Sequence, residues 1–257
     1  MRVFLIRKKW VWRGAAIAVV LAVALICAGT MPASPVFFSN KTQYQIKSVK
    51  TEEKCVAITI DTAFGQEDYT QQILEVLGKK GAPATFAVMG IWAREYPEAA
   101  QAIADADMEL MSHSYAHEHY DSLSKEAVCE DAKKAQQTLN GLGVQSSFIR
   151  VPYDSCNEAT YQALREIELI PVGYSVEIDE ARQDAEQIAN RIVEQVKPGD
   201  ILVFQNNSPN TAPAIEEIIS RLKSLGYRFE TVSDLLGEEY TVNSSGVAVP
   251  SQSPVNS

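Results

Sequence analysis

Seven short apolar, β-branched runs recur along this chain, and nearly every one is followed by a stretch with helical spacing. The runs are "CVAITI" (55–60), "ATFAVM" (84–89), "MELMS" (108–112), "SFIRV" (147–151), "IPVGYS" (170–175), "ILVF" (201–204) and "RFETV" (228–232). Their length and β-branching read as strands. Between them, Tyr69, Ile73, Val76 and Leu77 make one helical face, and Ile215, Ile218, Ile219, Leu222 and Leu225 make another. Ser124 is placed to cap a helix that runs to Asn140, with Gly141 as its stop. Pro213 suits a first helical turn and Gly226 an end. Strand–helix alternation implies parallel βα units, since a parallel neighbour is reached only by a crossover. At 257 residues the expected fold is α/β, a distorted (β/α) barrel of seven or eight strands, preceded by one transmembrane helix.

Chemistry in such barrels sits where strands end. Asp61 follows the first run, and His113 and His117 follow the third. Arg150 ends the fourth, Glu177 and Glu180 follow the fifth, and Gln205, Asn206 and Asn207 follow the sixth. All three histidines of the chain lie between 113 and 119. A separation of four places His113 and His117 on one face of a helical turn, where two neutral imidazoles suit a transition metal such as zinc. The plainer alternative is a polar loop that happens to be rich in histidine. His119, two residues from His117, points elsewhere on such a turn.

The termini read differently. Residues 1–13 carry Arg2, Arg7, Lys8, Lys9 and Arg13 and no acid, followed by the uncharged run "GAAIAVVLAVALICAG". Positive charge before the run and none until Lys41 sets the basic segment in the cytoplasm and the rest outside. Residues 14–31 are therefore expected to be an uncleaved signal anchor, with a cleaved signal peptide as the rival. This expects a single-pass protein of the cell membrane whose main domain is extracytoplasmic. Residues 32–50 read as a stalk, 51–240 as the globular domain, and 241–257, rich in Ser and Pro, as a disordered tail. Removing the five N-terminal charges from the 23 basic residues leaves 18 against 33 acidic, which excludes nucleic acid as the expected partner. Beyond Cys27 there are Cys55, Cys129 and Cys156, an odd number with no regular spacing and so no disulfide framework. The sequence leaves the oligomeric state open.

The segments "AITIDTAFG", "HSYAH", "FIRVPYD", "GYSVEIDE" and "GDILVFQNN" occur in this order. With "GAPATFAVMGIWAREYPEAAQAI" between the first two, the chain over about residues 50–237 resembles the polysaccharide deacetylases (NodB-homology, carbohydrate esterase family 4). The resemblance implies metal-assisted hydrolysis of N-acetyl groups on a cell-wall glycan of peptidoglycan type. It implies Asp61 as general base and Arg150 as the residue orienting it. It implies His113 and His117, with Asp61, as ligands of a divalent ion, zinc first, cobalt or nickel otherwise. It implies Pro152 and Tyr153 in substrate binding and Glu177 in the catalytic set. Four of the motifs depart from the pattern. Thr62 replaces a ligand aspartate, as in relatives with an Asp-Ala-Ala-Trp-Gly motif, where Asp61, Glu67 or Asp68 could complete the metal site. Val151 and Asp154 replace a proline and a glycine. Glu177-Ile-Asp-Glu180-Ala181 replaces Asp-x-x-Asp-Trp. Gln205 replaces the histidine that protonates the leaving amine, and an amide has no proton to give near neutral pH. The alternative expectation is an inactive relative, without metal, that binds glycan or a partner on the same rim. In either case Tyr115, Tyr120, Tyr153 and Trp92 are candidate stacking surfaces, with ordinary core packing as the alternative, above all for Trp92.

Overall fold

A computed structural model describes residues 44–177 and 183–251. The anchor at 14–31, most of the stalk and Glu180 lie outside the described residues. Among the described residues, no helix is long and apolar enough to cross a membrane. In chain order the elements are β1 (Ser48–Val49), β2 (Cys55–Asp61), α1 (Thr70–Lys80), β3 (Thr85–Val88), α2 (Gly90–Glu95), α3 (Pro97–Asp105) and β4 (Glu109–Ser112). Then come α4 (Lys125–Gly141), β5 (Phe148–Ile149), α5 (Glu158–Glu166), β6 (Ile170–Pro171), β7 (Val176–Glu177), α6 (Ala185–Gln195) and β8 (Ile201–Gln205). The chain closes with α7 (Thr211–Ser224), β9 (Arg228–Glu230), α8 (Val232–Leu236), β10 (Tyr240–Val242) and β11 (Val247–Pro250).

Every one of the seven runs contains a strand, and these strands pair in parallel in one eight-stranded sheet of order β6-β5-β4-β3-β2-β8-β7, with β9 also on β2. Among the described residues the sheet does not close, which corrects the expectation of a barrel: β6 and β7 are the two end strands of its order. The N-terminal segment lies at the β6 end, where the Ile46 amide donates to the Pro171 carbonyl at 2.9 Å. The Gly173 amide donates back to the Ile46 carbonyl at 2.7 Å. The arrangement is a half-barrel.

Strand β2 shows how the period of two divides the layers. Val56, Ile58 and Ile60 face the helices, in a core with Phe86, Leu202, Ile215 and Ile218. Cys55 and Ala57 face the other way, onto Met111, Ile201, Leu235 and Ala248. Thr59 and Asp61 continue that second face upward, so the concave side of the sheet presents them at its carboxyl end.

Two domain boundaries change. The segment assigned to a stalk contributes Ile46, fully buried, and β1. Part of the assigned tail forms β10 and β11, which make a three-stranded sheet with β1. Gly199 is required beneath this sheet, because a Cβ there would stand 1.8 Å from the Val49 carbonyl. The cap signal at Ser124 is correct, with its Oγ accepting from the Ala127 amide at 3.3 Å. Gly141 is the last helical residue rather than the stop, and the chain turns at Gly143 in the left-handed region.

Candidate active site

The two histidines converge, but not through a helical turn. Residues 113–119 form a loop after β4, because Ser114 and His117 sit in the left-handed region (φ 63° and 59°). Such residues cost of order 1 kcal/mol or more each and persist only where surroundings hold them. Here they do. The Ser114 and Tyr115 carbonyls accept from the Gly90 and Ile91 amides at the start of α2, both at 3.0 Å. The His117 amide donates to Ser114 Oγ at 2.9 Å. Asp131, on α4, accepts from the Tyr115 amide (2.8 Å), the Ala116 amide (3.0 Å) and the Tyr120 hydroxyl (2.6 Å). Gly90 must lack a side chain, since its Cβ would meet the Tyr115 ring at 2.3 Å.

His113 Nδ1 lies 2.9 Å from the Arg150 carbonyl, which can only accept. Nδ1 therefore carries the proton and Nε2 presents a lone pair. That Nε2 is 3.0 Å from His117 Nε2. Two lone pairs this close repel unless a proton or cation lies between them, and two nitrogens on one tetrahedral zinc stand about 3.3 Å apart at zinc–nitrogen bonds of about 2.0–2.1 Å. Burial lowers the pKa of both rings; His117 is pushed down to about 4, with the His113 charge as the next cause. Both imidazoles are neutral near pH 7 and available as donors.

The third group is Asp61, whose Oδ2 is 3.9 Å from His113 Nε2. Its other partner is Arg150, which is 2% exposed and uses its whole donor fork. NH1 reaches Asp61 Oδ1 at 3.1 Å, NH2 donates to Thr59 Oγ1 and the Gly173 carbonyl at 3.0 and 3.1 Å, and Nε donates to the Val172 carbonyl at 2.8 Å. Among the described residues, no three His, Cys, Asp or Glu side chains already form a closed metal cage. Two imidazoles converge and the carboxylate is held toward the arginine. The donor types fit a divalent ion with water completing its coordination.

Thr62 explains the missing carboxylate. It is fully buried, and its hydroxyl accepts the Met89 amide at 2.9 Å, a structural bond. Glu67 and Asp68, the other carboxylates near it in sequence, have hydrogen-bond partners of their own. Asp68 accepts from the Thr70 amide, Trp92 Nε1 and Asn206 Nδ2, at 2.9, 3.1 and 2.8 Å. Glu67 accepts from the Tyr69 hydroxyl at 2.8 Å.

Around this centre the other expected residues are less uniform. Gln205 ends β8 as the register partner of Asp61, side by side on neighbouring strands. Glu177 ends β7 beside Val203 and is exposed. Its nearest role is on Tyr174, whose hydroxyl is pushed up to about 12 by burial and then by Glu177. The Tyr174 ring lies 5.4 Å from the Arg150 guanidinium carbon. Tyr153 is exposed and left-handed (φ 58°). His119 stacks on it at 3.8 Å between ring centroids, and His117 meets it at 4.7 Å, so His119 does not point away as expected. Pro152 is buried, its carbonyl accepting from Ser155 Oγ at 2.7 Å. Asp154 stands left-handed where the family has glycine, held by Gln45 and by Lys47 Nζ (2.8 Å). Tyr120 and Trp92 are buried, which removes them as stacking surfaces. Cys55, Cys129 and Cys156 are free thiols.

Asp131, which holds the histidine loop, is not among the residues expected from the sequence. A signal existed: Val128, Ala132, Ala135 and Leu139 form the buried stripe of α4, and Asp131 falls on that same face.

Residues 48–172 match the polysaccharide deacetylase family model. A peptidoglycan-N-acetylglucosamine deacetylase of Bacillus cereus is 29% identical over 201 residues, covering 76% of this chain and 94% of the relative. A pseudoenzyme of the CE4 family from Bacillus anthracis superimposes with TM-score 0.71 at 26% identity, over 76% of this chain and 69% of that one. A mutant CE4 family pseudoenzyme with restored enzymatic activity gives TM-score 0.72 at 28% identity, over 76% and 71%.

Proposed function

The chain belongs to the polysaccharide deacetylase family, and on that premise we propose that it is a metal-dependent hydrolase removing N-acetyl groups from a cell-wall glycan of peptidoglycan type, at a rate limited by Gln205. The observation that carries this reading is Asp61 between a buried arginine and two converging imidazoles. His113 and His117, with Asp61 as the nearest carboxylate, would hold the ion, zinc or else cobalt or nickel. A bound ion of this kind polarises a carbonyl and acidifies water. Arg150 keeps Asp61 aimed, and Asp61 takes the proton as the nucleophile forms. Tyr153, exposed and backed by His119, is placed to meet the sugar, with Pro152 fixing the turn beneath it. The amine that leaves needs a proton, and Gln205 cannot supply one. That absence costs on the order of 10²- to 10⁴-fold.

A second reading is favoured by the same residue: an inactive relative that binds glycan or a partner at the cell surface, as the likeness to a pseudoenzyme allows. Residues 14–31 are proposed as the anchor that places either protein outside the membrane.

Metal binding separates the two. The full-length protein should hold close to one equivalent of zinc after dialysis, and a His113→Ala, His117→Ala double variant should hold none. Asp131→Ala should bind zinc about 10- to 100-fold more weakly while remaining folded, the range for loss of a residue that orients ligands. A wild type that takes up neither zinc, cobalt nor nickel would leave the histidines structural and favour the second reading.

A further inference from the structure

Four large apolar side chains among the described residues stand well exposed: Phe64 (46%), Tyr96 (39%), Tyr153 (58%) and Leu225 (48%). Leu225 follows α7 and leads into β9, at the amino end of the sheet. The three aromatics are all at the carboxyl end. Phe64 lies three residues beyond Asp61, so chain reach keeps the two Cα atoms within about 10 Å. Tyr96 follows α2, and its ring centroid is 6.1 Å from that of Phe64.

The loop that carries Phe64 is fixed. The Ala63 amide donates to Asn206 Oδ1 at 2.8 Å, and Asn207 Nδ2 donates to the Phe64 carbonyl at 2.9 Å. Gly65 packs so closely that a Cβ would meet Asn207 Cβ at 2.7 Å. Tyr96 is backed by the buried Trp92 ring at 5.6 Å, itself tied to Asp68. The pair is thus presented rigidly to solvent, with Phe64 on the loop that leaves Asp61. Two exposed aromatic rings held side by side offer an apolar contact surface at this rim. Its size selects the occupant. Two aromatic side chains cover at most about 300–500 Å², below the ~800 Å² per partner of a stable protein interface. A single pyranose ring fits: its apolar C–H face matches the two rings, tilted 46° to one another, and its hydroxyl edge can meet the Tyr96 hydroxyl.

We propose that Phe64 and Tyr96 form a stacking platform for a second sugar ring of the glycan strand, neighbouring the ring whose acetamide lies at Asp61 and the imidazoles. This rests on the glycan reading above. It makes recognition depend on chain length, with the platform contributing only to oligomers.

The test is calorimetric binding of the N-acetylglucosamine tetramer and the monosaccharide to full-length protein carrying Asp61→Asn, in the presence of zinc, so that turnover does not interfere. The tetramer should bind at least tenfold more tightly than the monosaccharide. Adding Phe64→Ala, or Phe64→Ala with Tyr96→Ala, should weaken tetramer binding about fivefold or more, the scale of losing half-buried aromatic contact. Monosaccharide binding should not change, and Phe64→Trp should retain tetramer affinity. Tetramer affinity that is unchanged in the alanine variants, or absent from the parent, overturns the platform. Tetramer binding that requires Phe64 in a wild type that never releases acetate supports the platform and sinks the hydrolase. Acetate release with Phe64-independent binding does the reverse.

Discussion

Arg150→Met should lower the stability of the domain by about 3–5 kcal/mol, the usual cost of removing one partner from a buried charged network. Methionine fills most of the same space, so the loss is electrostatic rather than a cavity. It leaves the Asp61 carboxylate, 14% exposed, without its cation, and strips the Val172 and Gly173 carbonyls and Thr59 Oγ1 of a donor. In urea the midpoint should fall while the slope stays constant, and melting should drop by roughly 10 °C for a domain of this size. Arg150→Lys should recover little, because one ammonium cannot reproduce a fork serving four acceptors. A loss under about 1 kcal/mol would mean that Asp61 is held by something other than the arginine.

This network also shows what could be read from sequence. A strand seven residues long that alternates Ile, Thr, Ile, Asp announces both its layer and the end that carries chemistry, and Asp61, Arg150 and the histidine pair were legible from strand ends alone. The route to the histidines was wrong. Spacing of four suggested a helical turn, whereas the loop is set by two left-handed residues and by Asp131, a carboxylate distant in sequence. Periodicity reports neither. The β10–β11 hairpin was hidden by low hydrophobicity, since strands of three and four residues gain their burial from β1 rather than from their own pattern. Its turn was still readable: in Asn-Ser-Ser-Gly, Asn243 Oδ1 accepts the Ser245 and Val247 amides at 2.9 and 3.0 Å, and Gly246 takes the left-handed position. Thr62 and Asp154, departures from the family pattern, turn out to have local partners of their own in Met89 and Lys47.

Gln205 is the departure with chemical consequences. Its strand register puts it beside Asp61, on the strand next to the one that carries the proposed base. A histidine at this position would share that rim, and its ordinary pKa near 6.5 suits proton donation at working pH. Glu177, two strand positions back on β7, would raise that value by favouring the charged ring. Asp61, Arg150 and the two imidazoles already lie near one another on that rim.

The direct measurement is acetate release from an N-acetylglucosamine oligomer by zinc-loaded wild type, Gln205→His, and Gln205→His with Asp61→Asn. Expected are a slow wild type, an increase of about tenfold or more in Gln205→His, the low end of what a general acid supplies, and loss of that gain in the double variant. No gain in a Gln205→His protein that is folded and carries its metal would contradict this expectation.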